Sequence, residues 1–109
     1  MWRAAVILVA LTCPALAQQR FLPPAEYDHP YSGRLVKFRK NSVEDVRTTC
    51  KTPLAMGLGC AWLPSEGVCI IIMANDEVIA GAGHDPEVVL RHETAHCNGW
   101  PKDHLGARK

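Results

Sequence analysis

The spacing of apolar residues predicts short strands through the middle of the chain. The segment from Arg34 to Arg39 alternates polar and apolar side chains, which is typical of a strand with one buried face. The run GCAWL begins at Gly59, and the run GVCIIIMA begins at Gly67. The β-branched residues of the second run predict a strand that is buried on both faces. The segment EVIAGA, which follows from Glu77, is expected to form a further strand.

A short helix is expected between the first two of these strands. Asn41 is followed three residues later by Glu44, a pattern typical of a helix N-cap with a reciprocal carboxylate. The predicted helix continues towards Cys50.

A second helix has clearer boundaries, from Pro86 to about Asn98. Asp85 can accept hydrogen bonds from the free amides of the first turn, and proline is favoured at the first helical position. Gly99 is suited to the left-handed conformation that ends many helices, and Pro101 prevents the helix from continuing.

The first seventeen residues, MWRAAVILVALTCPALA, have the features of a signal peptide. Arg3 precedes an apolar run, and Ala15-Leu16-Ala17 is a small-x-small cleavage site, so we expect cleavage after Ala17. The run is shorter than the roughly twenty residues that a membrane-spanning helix needs. The expected product is a periplasmic or secreted protein without a membrane span. An uncleaved N-terminal anchor is the alternative.

Composition narrows the classes of partner. The chain has 109 residues, enough for one domain. Removing Arg3 with the leader leaves eleven basic and eleven acidic residues. No basic patch remains to neutralise several phosphates, so nucleic-acid binding is not expected. We expect a signal peptide over residues 1–17, an extended arm and first strand over 18–40, and a metal-binding core over 41–109.

Four cysteines follow the leader, namely Cys50, Cys60, Cys69 and Cys97. An even number of cysteines in a short exported chain predicts two disulfides. Cys60 and Cys69 flank a turn-forming Pro-Ser-Glu-Gly sequence and are candidates for a bridge across a hairpin, which would leave Cys50 to pair with Cys97. A four-cysteine zinc site is the alternative, but the spacings lack the C-x-x-C pairs that such sites use.

The helix that begins at Pro86 carries the residues with the clearest potential chemistry. His92 and His96 are four residues apart, so they lie on one face of the helix with their Cβ atoms about 5–6 Å from each other. Two imidazoles at that separation can bind one zinc ion. Glu93 stands beside them as a candidate general base for a zinc-activated water.

The sequence HETAH resembles the HExxH motif of zincin metallopeptidases. Gly99 matches the glycine of the longer metzincin pattern HExxHxxGxxH. The third ligand of that pattern falls here on Lys102, a cation that cannot bind zinc. We therefore expect His104 to be the third ligand, with Asp103 as the alternative. The run from Ala95 to His104 is also similar to small exported bacterial proteins with a zincin motif.

This resemblance implies an α+β zincin-like core, with a short, mostly antiparallel sheet packed on the C-terminal helix. It implies an exported Zn²⁺-dependent metallopeptidase that hydrolyses peptide or protein substrates with Glu93 as general base. The segment from Glu77 to Gly81 is expected to offer its backbone to an extended peptide. The alternatives are a non-catalytic, zinc-stabilised envelope module and a disulfide-stapled interaction module without metal. The oligomeric state is left open.

Overall fold

The computed structural model describes residues 22–51 and 57–108, which form a small α+β fold. The strands are β1 (Arg34–Lys40), β2 (Gly59–Ser65) and β3 (Val68–Ala74). The helices are α1 (Val43–Cys50), α2 (Asp76–Gly81) and α3 (Pro86–Cys97). A 3₁₀ turn at Ala25–Tyr27 precedes β1. The expected signal peptide lies outside the described residues.

The three strands form one mixed sheet in the order β1-β3-β2. β3 is central, pairing in parallel with β1 and antiparallel with β2. Ile71 and Met73 are fully buried on one face of β3, and Ile72 is 4% exposed on the other. This confirms that the apolar run is a strand buried on both faces. A mostly antiparallel sheet was expected, but one of its two strand pairs is parallel. After β1 the chain passes through α1 to β2 at the opposite edge of the sheet, and β3 then lies between β1 and β2.

Helix α3 packs on the face of the sheet that carries Cys69, to which Cys97 is bonded. Val89 of α3 and the fully buried Ile79 of α2 join Val46 of α1 in the same core. The core therefore lies between the sheet and its helices, and it holds α3 against β2 and β3.

The two disulfides join Cys50 to Cys60 and Cys69 to Cys97, so the predicted pairing is wrong. In the β2–β3 register, Cys60 lies opposite Ile72, three residues from Cys69. Side chains alternate between faces along a strand, so Cys60 and Cys69 point to opposite faces and lie about 10 Å apart along the sheet. A disulfide cannot span that separation.

The segment from Glu77, predicted to be a strand, is instead helix α2, and the expected docking strand for a peptide is absent there. Asp76 and Glu77 suit the positive end of a helix dipole, and alanine is a strong helix former. The helix buries Ile79 completely and half-buries Val78. The backbone amides and carbonyls within a helix pair with one another and are not free to bind a peptide.

The N-cap of α1 differs from the prediction by one residue. Ser42 is the cap, and its hydroxyl accepts a hydrogen bond from the amide of Asp45 at 3.1 Å. Asn41 accepts one from the side-chain amide of Asn75 at 2.8 Å instead. Within the described residues, the helices are too short and too polar to cross a bilayer.

Candidate metal centre

Helix α3 begins and ends as its sequence predicts. The Asp85 carboxylate accepts a hydrogen bond from the amide of Glu87 at 2.9 Å. At the other end of the helix, Gly99 has φ +103°. The amide of Gly99 donates to the carbonyl of His96, and the amide of Trp100 donates to the carbonyl of Ala95. These two bonds form a Schellman motif, which turns the chain back sharply after the helix.

The reversed chain then presents His104. The amide of His104 donates to the carbonyl of Pro101 at 3.0 Å, which closes a tight turn. The backbone of His104 is left-handed, with φ +59°. Such a conformation is uncommon for a residue with a side chain, and it is often found where tertiary structure holds a side chain in place.

The result is a cluster of three imidazoles, which we call the histidine triad: His92, His96 and His104. The three Nε2 atoms are separated by 3.1, 3.2 and 3.3 Å. Tetrahedral zinc with Zn–N bonds of about 2.0–2.1 Å separates its nitrogen ligands by about 3.3 Å. The triad could therefore hold a metal ion. Among residues 22–51 and 57–108, it is the only group of His, Cys, Asp or Glu side chains with this property.

The lone pair of His96 is directed by a hydrogen bond on its other nitrogen. Nδ1 of His96 lies 2.8 Å from the carbonyl oxygen of Trp100. A carbonyl can only accept, so Nδ1 carries the proton and, in the neutral ring, Nε2 presents a lone pair to the triad. Ligand histidines in metal sites are commonly oriented in this way.

Burial also favours the neutral form of two of the rings. It lowers the pKa of His96, against a smaller opposing effect from the hydrogen bond to Trp100, and it lowers the pKa of His104. Neutral imidazole is the form that binds metal, because the protonated ring has no free lone pair.

Trp100 contacts all three rings of the triad. Its indole is 2% exposed and lies 4.9–5.0 Å, between ring centroids, from each histidine of the triad. The ring stacks on His96, and its Nε1 donates to the carbonyl of Leu105 at 2.9 Å. The helix-ending Gly99-Trp100 pair is the sequence signal that points to this role, since an apolar residue there commonly packs back on the helix.

Glu93 lies beside the triad in sequence but is buried against the sheet. It is 5% exposed, and burial raises its pKa to about 8. A Cβ on Gly59 of β2 would lie 3.2 Å from Cγ and Oε2 of Glu93, so the glycine leaves room for this carboxyl. Gly59 and Glu93 are 34 positions apart, and no local pattern indicates that they are in contact.

Asp103, the alternative third ligand, is not part of the triad. Its carboxylate accepts a hydrogen bond from the amide of Leu105 at 3.1 Å, and the residue is exposed. The donor set is therefore three imidazoles from two segments of chain, α3 and the turn that follows it.

Comparison of the chain with protein-family models, with curated proteins and with solved structures gave no match in any of the three. The geometry of the site is accordingly the basis for a functional proposal.

Proposed function

We propose that this protein is an exported Zn²⁺-dependent hydrolase that cleaves peptide bonds. The observation that carries the proposal is the number of protein ligands. The triad offers three nitrogens at zinc-binding separations, and Asp103 is engaged elsewhere. Structural zinc sites normally have four protein ligands, whereas catalytic sites have three and leave a fourth position for water or substrate.

The resident ion would polarise the scissile carbonyl and increase the acidity of a water molecule. The chain itself would make two contributions. Trp100 orients the imidazoles through its indole ring and its carbonyl group, and a buried carboxyl can exchange a proton near neutral pH. Glu93 is the candidate for that role because it directly follows His92 in the sequence HETAH. Burial raises its pKa to about 8 in the metal-free protein, so the ionised carboxylate that can accept a proton becomes more abundant as the pH rises towards that value.

Two disulfides in the described residues are consistent with an extracellular or periplasmic location. The proposed export also depends on the leader sequence MWRAAVILVALTCPALA, which has the features of a signal peptide.

One observation favours a second candidate, a zinc-stabilised module without catalysis. Glu93 is 5% exposed and lies against Gly59 of the sheet, as expected of a carboxyl that is part of the core. In that case the ion would only join α3 to the turn that carries His104.

The first test is metal analysis of the mature protein purified from the oxidising compartment. We expect one zinc per chain, lost in the His96→Ala variant and kept in the Asp103→Ala variant. Full zinc occupancy in the His96→Ala variant would contradict the ligand assignment.

The second test separates hydrolysis from a structural role. The zinc-loaded protein is incubated with a peptide library, and cleavage products are identified by mass spectrometry. The Glu93→Gln variant should keep its zinc and lose cleavage, and a chelator should abolish cleavage by the unsubstituted protein. If the zinc-loaded protein cleaves nothing while the triad binds zinc, the structural candidate is correct.

A further inference from the structure

Two irregular segments meet beside the metal centre, the arm (residues 22–31) and the tail (residues 101–108). We propose that Asp28 is a positioning residue that joins arm, tail and α3, and so holds His104 in place as the third ligand. The inference rests on the proposed metal site. It concerns which residues outside the triad determine its affinity for metal.

The tail is fastened to the arm through Arg108. The amide of Arg108 donates to the carbonyl of Leu22 at 2.8 Å, and its Nε donates to the carbonyl of the buried Pro23 at 2.6 Å. One further nitrogen of the guanidinium lies 2.6 Å from Oδ2 of Asp28. Close packing accompanies these bonds, because a Cβ on Gly106 would lie 3.1 Å from Cγ of Pro24.

The arm is in turn fastened to α3. Arg91, the residue before His92, donates from Nε to Oδ1 of Asp28 at 3.1 Å and from its terminal nitrogen to Oδ2 at 2.5 Å. At the end of the helix, the side-chain amide of Asn98 donates to the carbonyls of Tyr27 and His29, at 3.0 and 2.6 Å. The carboxylate of Asp28 thus accepts from both α3 and the tail, and these guanidinium partners lower its pKa.

This arrangement matters most for one ligand of the triad. His92 and His96 belong to one rigid helix, which fixes their separation. His104 lies on a tail without regular secondary structure, four residues before Arg108. Fixing both ends of the 101–108 segment, at Trp100 and at Arg108, restricts where the imidazole of His104 can lie before a metal binds. A ligand that is already in place loses less conformational entropy on binding.

The test measures the Kd for Zn²⁺, by competition with a chromophoric chelator, in the full mature chain and its variants. Asp28→Asn and Arg108→Gln should each raise the Kd about tenfold, the lower end of the effect of groups that hydrogen-bond metal ligands directly, because both residues act on His104 through the tail. Asp76→Asn is the control, because it also removes an Asp–Arg ion pair, with Arg39 at 2.7 Å, but one that is more exposed and lies outside the arm and tail. The control should change the Kd by less than about threefold, a range typical of an exposed pair.

A double-variant cycle distinguishes positioning from general destabilisation. When His104 is already replaced by alanine, Asp28→Asn should produce no further change in Kd, because the ligand that it positions is gone. The visible spectrum of bound Co²⁺ should show altered coordination in Asp28→Asn. If Asp28→Asn does not fold, as judged by circular dichroism, Arg108→Gln provides the same test with the Asp28–Arg91 pair intact.

Three outcomes would overturn the inference. If the Kd for Zn²⁺ is unchanged in both Asp28→Asn and Arg108→Gln, the position of His104 does not depend on the contacts between arm and tail. An equal loss with and without His104 would show that Asp28 acts on α3 alone. If the unsubstituted protein binds no Zn²⁺, the proposed function fails as well, whereas the first two outcomes leave it intact.

Discussion

Replacing Glu93 with glutamine should stabilise the metal-free protein at neutral pH. Glutamine has nearly the same shape as a protonated glutamic acid but cannot ionise. The folded protein holds the Glu93 carboxyl in a site that is 5% exposed, where burial raises its pKa from 4.5 to about 8. In the unfolded chain the same carboxyl ionises freely in water.

The magnitude and sign follow from this difference in pKa. Between pH 4.5 and about 8 the folded state binds more protons at Glu93 than the unfolded state, so stability falls as the pH rises. The loss is about 1.4 kcal/mol per pH unit, or about 3 kcal/mol by pH 7. The contribution of Glu93 is complete below pH 4.5 and lost by about pH 8. The glutamine variant should not have this dependence.

The assay is urea denaturation of both proteins in the presence of a chelator, followed by circular dichroism at a series of pH values from 4 to 8.5. The two proteins should have similar free energies of unfolding near pH 4.5 and diverge by about 3 kcal/mol at pH 7, with the variant more stable. The lowered pKa values of His96 and His104 contribute a slope of opposite sign, but they do so in both proteins and cancel in the difference. A difference that does not vary with pH would refute the reasoning, because it would mean that the folded protein holds Glu93 in its ionised form.

Three further predictions concern the frame of the site. His104→Ala should weaken Zn²⁺ binding by more than about a hundredfold in a chelator competition assay, since even groups outside the ligand set contribute 10–100-fold. Asp103→Ala should change the affinity by less than about threefold. A larger loss in Asp103→Ala than in His104→Ala would show that Asp103 is the third ligand. Replacing both Cys69 and Cys97 with alanine removes a cross-link between residues 28 apart in sequence. The free energy of unfolding, measured by urea denaturation, should fall by roughly 3.5 kcal/mol. A decrease below about 1 kcal/mol would show that packing alone holds α3 on the sheet. Gly99→Ala should cost about 1–3 kcal/mol in the same assay because φ is +103° there, and an unchanged midpoint would show that the turn can relax.

Local features of the sequence were sufficient to predict α3 and the three strands of the sheet. Asp85 and Gly99 mark the two ends of the helix by side-chain and backbone chemistry that acts within a few residues. The i, i+4 spacing of His92 and His96 determines their relative position, because both belong to the same helical turn. Three successive isoleucines likewise indicated the buried central strand.

Other features depended on how distant segments pack. The pairing of the cysteines follows from the β2–β3 register, which places Cys60 and Cys69 on opposite faces, and spacing along the chain carries no such information. The segment at Glu77 has apolar residues compatible with either a strand or a helix. It became a helix where the chain leaves the sheet at the end of β3.

The sequence by itself determined the helix, its two histidines and the turn that follows, because these depend on interactions between residues close together in the chain. Only the tertiary structure decided that His104 rather than Asp103 completes the triad, and that Trp100 supports it. The same holds for the burial of Glu93 against Gly59 and for the contacts of Asp28 with Arg91 and Arg108. Those contacts join residues up to 80 positions apart, and only the packing of the whole chain brings them together.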